Sequence, residues 1–266
     1  MIFVIFKAGN MKFFKFFSVL LFAISCLQTL AQESESKPLH FNGNISITNN
    51  GFSFIPTFSL GEPATVFEFN VGGDRLSFDP QFRFENNGFR PWSMIFIWRY
   101  SVVKQEKLLI RFGAHLPAVA FRHKSFNING SMEDRLVAQR FVSPEFNLNY
   151  NVSKHFSFGA YSIYGFGLEE QDQTKRTFFF AMRVGLNQLE ISDKIRLGIN
   201  PQLYYLTMDG VDGLYTAANV GLAHTEFPIS IGATFNQPIN TNLSVDEFDW
   251  NLSLVYSFKT KLKRER

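Results

Sequence analysis

The chain has 266 residues, enough for one mid-sized barrel or for one or two soluble domains. Aromatic residues reach 17%, with 33 Phe, while charged residues stand at 18%, against a usual ~25%. That bias argues against disorder and coiled coil, and beyond the N-terminus no apolar run approaches the ~18 residues of a spanning helix.

Lys12 and Lys15 precede a ten-residue apolar stretch, Phe16–Ser25, and Thr29-Leu30-Ala31 places small residues before Gln32. Residues 1–31 read as a secretory signal peptide whose apolar part is too short to span a bilayer, with Met11 as an alternative start. Ala23-Ile24-Ser25-Cys26 is a poor lipobox, lacking Leu at its first position. Cleavage after Ala31 removes Cys26, the only cysteine, so the mature chain has no disulfide. Three lysines and no acids leave with the leader, so 23 basic residues face 23 acidic ones. A nearly neutral exported chain is not expected to bind nucleic acid.

The mature chain is a series of period-two segments. From Arg75 to Glu85 the even positions are Leu, Phe, Pro, Phe and Phe, and the odd ones Arg, Ser, Asp, Gln, Arg and Glu. Such alternation puts one set on each face of a strand. Thirteen spans follow: 39–48, 52–61, 65–72, 75–86, 91–103, 108–121, 138–151, 155–168, 176–188, 194–207, 213–223, 228–237 and 248–258. They are longer than the ~5–6 residues of soluble strands and match a tilted transmembrane span of ~9–11. Phe, Leu and Ile fill one face, Gly, Ser and Asn the other, and Trp, Tyr and Phe cluster near the ends. These features favour a closed antiparallel transmembrane barrel over a periplasmic sandwich.

An even strand number with both termini on one side selects twelve strands over 52–258. Residues 32–51, including Leu39–Thr48, are then a periplasmic or lumenal segment. Fourteen strands, with one hidden in 122–137, is the alternative. Asn49-Asn50-Gly51 and Gly72-Gly73-Asp74 mark tight turns, and Pro80, Pro144 and Pro201 inside strands mark bulges or misplaced ends.

The leader, the alternating strands and the last strand Trp250–Phe258 resemble the outer-membrane β-barrel proteins of Gram-negative bacteria, porins and small channels among them. The resemblance covers 39–258. It implies the outer membrane, with lipid and lipopolysaccharide around the barrel and barrel-assembly machinery reading the last strand. Trp92, Trp98, Tyr100, Tyr150, Tyr164, Trp250, Tyr256 and Phe258 would form the aromatic girdles. One departure is the basic tail 259–266, a solvated end or a contact for peptidoglycan or a periplasmic protein.

The alternation places Arg83, Arg99, Arg111, Arg183 and Arg196 in the lumen with Glu68, Asp79, Glu145 and His115. Five arginines among three acids describe an anion-attracting eyelet, or else ion pairs filling a narrow barrel. The expected activity is a passive channel for small hydrophilic, anion-biased solutes, with a filled barrel of structural or docking role as the alternative. A lipid-acting hydrolase is the second alternative, with His123 and Ser125 as its catalytic pair. Glu169, Glu170 and Asp172 form an acidic loop cluster that would be either solvated or a divalent-cation contact. No cofactor or metal is implied, since no ligand spacing or phosphate-binding loop occurs.

Overall fold

The computed structural model describes residues 39–128, 131–169 and 174–262. Residues 1–38, which hold the expected signal peptide, and Glu170, Asp172 and Lys263–Arg266 lie outside the described residues. Twelve antiparallel strands form a closed barrel: β1 (Leu39–Thr48), β2 (Ala64–Gly72), β3 (Leu76–Glu85), β4 (Arg90–Lys104), β5 (Leu108–Ile128), β6 (Ser131–Asn151), β7 (Phe156–Gly167), β8 (Arg176–Glu190), β9 (Ile195–Met208), β10 (Val211–His224), β11 (Ile229–Thr241) and β12 (Asp249–Leu262). Sequence neighbours pair, and β1 closes against β12. Closure leaves no strand edge, which hydrocarbon would not tolerate.

The count of twelve stands, but with a different membership. Leu39–Thr48, expected outside the wall, pairs on both sides, with Ile45 opposite both Tyr256 and Phe67. The span that does not belong is 52–61. Its alternation serves a compact loop joined by a single bridge, Phe52 to Ser59, and by the turn bond Phe58 N–H to Ile55 O at 2.9 Å. Pro56 sits at the turn of this loop, where no ladder calls for a backbone N–H. At the other end, Lys259–Leu262, expected in the tail, continues β12 opposite Leu39–Asn42.

Residues 122–137 are neither a long loop nor an extra strand. They extend β5 and β6 to 21 residues each, paired from Phe121–Ala138 up to Ile128–Ser131. A closed turn also follows β9, where Asp209 and Gly210 both take positive φ (49° and 91°). That geometry matches the twist of two-residue hairpins and suits glycine.

The interior prolines sit where a ladder is interrupted. Pro80 pairs with Phe96 of β4, but the pairing with β2 jumps from Gln81 to Phe78. Pro144 pairs with Ala114, while the β7 ladder jumps from Val142 to Glu145. Pro201 pairs with Ala218, while the β8 ladder resumes only at Ile199. Each missing N–H falls in a gap of one ladder, so closure survives.

Leu252, Leu254 and Tyr256 are exposed on the outside, while Asn251, Ser253 and Val255 between them line the lumen. An apolar outer band on a closed barrel is built for the outer membrane of a Gram-negative envelope. Tyr100, Tyr150, Tyr256 and Phe258 lie outside toward the end holding both termini, and Tyr164 and Trp250 toward the opposite end; Trp98 is also exposed outside. Trp92 is the exception, only 4% exposed and facing the lumen. The β3 pairing skips it, passing from Ser93 to Pro91, and this bulge turns Trp92 inward.

Candidate functional site

The lumen is shaped first by the loop between β1 and β2, residues 49–63, which folds into it. Ile55, 2% exposed, packs among Tyr161, Phe179, Tyr204, Leu206 and Tyr215 of β7–β10. Phe58 joins this cluster, as do Leu243 and Val245 from the β11–β12 connection. Thr57 Oγ1 lies 2.7 Å from the Tyr204 hydroxyl, which donates to Asn236 Oδ1 at 2.5 Å. The base of the loop is tied to the closing strand. Asn50 Nδ2 donates to Asp249 Oδ1 (2.7 Å), and the Leu252 N–H donates to Asn49 Oδ1 (2.7 Å). An inner face of Gly, Ser and Asn holds for much of the wall but not for β7–β10. The sequence signal was the local loss of alternation in Phe178-Phe179-Phe180 and Tyr204-Tyr205-Leu206, where both faces are apolar because both are covered.

Across the other half of the lumen runs a charged girder. Arg99 of β4 forks onto Glu145 of β6, Nε to Oε1 at 2.5 Å and Nη2 to Oε2 at 3.2 Å. Its Nη1 donates to Asp79 of β3 at 2.5 Å. Asp79 also accepts from Asn70 of β2. Glu145 further accepts from Tyr161 OH (2.7 Å) and from His115 Nε2 (3.0 Å). The network thus ties β2 through β7 together. Gly113 makes room for it, since a Cβ there would stand 2.7 Å from both Glu145 Oε1 and the Trp98 carbonyl. Buried charges need such complete pairing. Asn70 and Tyr161, which sequence reasoning missed, complete it.

The five arginines expected to form one eyelet therefore do different jobs. Arg99 is neutralised in the girder. Arg83, 2% exposed, donates to Gln81 Oε1 at 2.7 Å, lies over the Trp92 ring and shares a cavity with Glu68. Arg196 is not in the central lumen. It sits by the β8–β9 turn, bonded to the Ser192 carbonyl and paired with Glu190 at 3.3 Å. Its face was read correctly, but its height along the strand was not. Of the five, Arg83, Arg111 and Arg183 make no ion pair among the described residues, and Arg111 and Arg183 stand together. Both line a polar cavity of about 610 Å3 with Asn147, Asn149, Asn151, Asn187, Asn200 and Asn219. Arg183 also lies over the Tyr161 ring and donates to Asn147 Oδ1 (3.4 Å).

Three other cavities share the lumen. An apolar one of about 330 Å3 lies between the loop and β4–β8, one of mixed lining and about 360 Å3 lies toward β1, β2 and β12, and one of about 140 Å3 lies beside Arg99. Phe54 lines all four. Its ring meets the His115 ring edge-on at 5.2 Å, so one side chain stands at the junction of every compartment.

No family model and no curated protein matches the sequence. Among solved structures, the NanC porin matches with a TM-score of 0.51 at 12% identity, over 81% of this chain and 98% of that one. The KdgM porin, solved with disordered oligogalacturonate, matches with a TM-score of 0.48 at 8% identity, over 82% and 99%. The CymD monoaromatic hydrocarbon channel matches with a TM-score of 0.39 at 10% identity, over 90% and 91%. The fold is that of an outer-membrane porin-like barrel. At these identities the likeness is one of fold alone.

No hydrogen bond joins His123 and Ser125 among the described residues. Ser125 Oγ donates to Asp134 Oδ1 (2.5 Å), and His123 Nε2 stands 4.0 Å from Glu85 Oε1. Of the acidic loop cluster, Glu169 is engaged by Arg140, Nε to Oε1 at 2.7 Å, and this guanidinium holds its carboxyl below the usual range. Among the described residues no group of His, Cys, Asp and Glu could hold a metal.

Proposed function

We propose that this barrel is a passive channel for small hydrophilic solutes, with an anion preference set by Arg111 and Arg183. The observation that carries the reading is the pair of guanidinium groups without carboxylate partners on the asparagine-lined cavity. In a narrow, partly dehydrated lumen, fixed positive charge concentrates anions and repels cations. Asparagine amides offer both donors and acceptors to a hydrophilic solute without fixing it. Arg99 is taken up by Asp79 and Glu145, and Arg83 and Glu68 line a separate cavity.

The inserted loop supports a second reading, a barrel kept shut by its own segment 49–63. One experiment separates the two. The refolded chain is placed in a planar lipid bilayer under a KCl gradient, with heat-modifiable gel mobility as the check on folding. Discrete steps with an anion-directed reversal potential are expected, and Arg111→Gln with Arg183→Gln should move that potential to zero or beyond. An unchanged potential removes the role of this pair. Silence from wild type, with steps appearing in Phe54→Ala, assigns the closed barrel.

A further inference from the structure

We propose that the apolar compartment of about 330 Å3 between the inserted loop and β4–β8 is a binding site for a small aromatic molecule carrying one hydroxyl donor. Phe54, Phe58, Trp92, Ile95, Phe141 and Ile163 give it aromatic and aliphatic walls, and Arg122, Gln139 and Ser143 also line it. Such a surface favours a flat ring through burial and through edge and face contacts. An apolar cavity of about 150 Å3 is enough to hold benzene, so this compartment has room for two fused rings.

One polar atom defines the donor requirement. His115 lines the compartment and is 1% exposed, and its Nδ1 has no hydrogen-bond partner. Its other nitrogen, Nε2, lies 3.0 Å from Glu145 Oε2. Glu145 is forked by Arg99 and is therefore a carboxylate, which only accepts. That assigns the ring proton to Nε2 and leaves Nδ1 as a bare acceptor. The ring is held by Glu145 on one side and Phe54 on the other, so the acceptor is fixed in place. A buried acceptor without a partner is unfavourable; Nδ1 is covered in the empty compartment, beside the Phe54 ring, and a ligand hydroxyl that reaches it as Phe54 turns aside satisfies it. An ether of the same shape does not.

This site does not depend on whether the barrel conducts. The test is calorimetric titration of the refolded full chain in dodecylmaltoside micelles with 2-naphthol and with 2-methoxynaphthalene, each against a micelle blank. Saturable one-to-one binding is expected, with 2-naphthol at least about tenfold tighter than its ether, as for one hydrogen bond to a buried group. Ala120→Phe, which fills the compartment, should weaken 2-naphthol binding by more than about tenfold. Ala118→Leu serves the same purpose if the larger change prevents folding. Absence of saturable binding overturns the site. Equal binding of the two probes overturns the His115 assignment, and binding unaffected in the filled variants places the ligand elsewhere.

Discussion

Replacing Arg99 by Met should be the most damaging single change in the lumen. It removes the donor to two carboxylates at once, and their side chains are 1% (Glu145) and 8% (Asp79) exposed. Breaking a buried pair by deleting one partner costs about 3–5 kcal/mol, because the remaining charge is left uncompensated. Glu145 keeps Tyr161 and His115 as donors, and Asp79 keeps Asn70, which sets the expectation at about 3 kcal/mol. That is roughly a hundredfold in the folding equilibrium. The assay is guanidinium titration of the barrel refolded in lipid vesicles, followed by tryptophan fluorescence. Adding Asp79→Asn and Glu145→Gln to Arg99→Met should recover most of the loss, since no bare charge then remains. A loss under about 1 kcal/mol, or no recovery in the triple variant, would refute the view that Arg99 acts by neutralising these acids.

Gly113→Ala drives a methyl against Glu145 and the Trp98 carbonyl, and overpacking of this kind costs about 1–3 kcal/mol; a guanidinium midpoint equal to wild type would show that the wall yields freely. Ile55→Ala opens a cavity in the cluster that seats the loop, a change worth about 2–5 kcal/mol in packed cores, and it should speed proteolytic cleavage between 49 and 63 without unfolding the barrel. Tyr204→Phe deletes the hydroxyl shared by Thr57 and Asn236, a loss of about 1–3 kcal/mol, and larger single-channel steps should accompany it; steps of unchanged size would mean the loop does not limit flow. Glu169 has a folded pKa below its ordinary 4.5, first because Arg140 donates to it, so this tie is complete above about pH 4.5 and is lost as pH falls through the lower folded value. The amide proton of Arg140, which donates to Glu169 Oε1 at 3.3 Å, should therefore shift in NMR with a midpoint below 4.5, and a midpoint at or above that value would contradict the contact.

The wall was legible because lipid imposes a strict rule on it. Each residue facing outward must be apolar, so alternation survives from Arg75–Glu85 to Trp250–Phe258. The interior obeys no such rule. Phe52, Phe54 and Phe58 alternate as a strand does, and only the packing of Phe54 and Phe58 on the cluster that holds Tyr204 and Phe179 shows that the segment lies inside the barrel. Leu39–Thr48 has the same pattern with the opposite fate. Choosing between the two required knowledge of which segment had room to pair on both sides. Arg83, Arg99, Arg111 and Arg183 were placed on the right face because parity is local. Their different electrostatic roles were not readable, because Glu145 and Asp79 are brought to Arg99 by ladder register across three strands. Trp92 was misplaced by a single bulge, which reverses every face assignment that relies on unbroken counting.

The seam between β1 and β12 joins parts of the chain that are far apart. The bonds Asn50–Asp249 and Asn49–Leu252 span 199 and 203 residues, whereas every other ladder joins strands consecutive in sequence. Taken alone, bringing such distant segments together costs about 3.5 kcal/mol more in chain entropy than closing a four-residue hairpin. These same bonds also hold the base of the lumenal loop. A chain that has not yet delivered its last strand therefore lacks both the sealed wall and the bonds that fix the base of the loop. Both are acquired when β12 docks, so the passage is dimensioned at the moment of assembly rather than adjusted afterwards. A partly inserted barrel cannot exist as a wide, unobstructed hole, because the strand that would complete the hole is also the one that secures its obstruction.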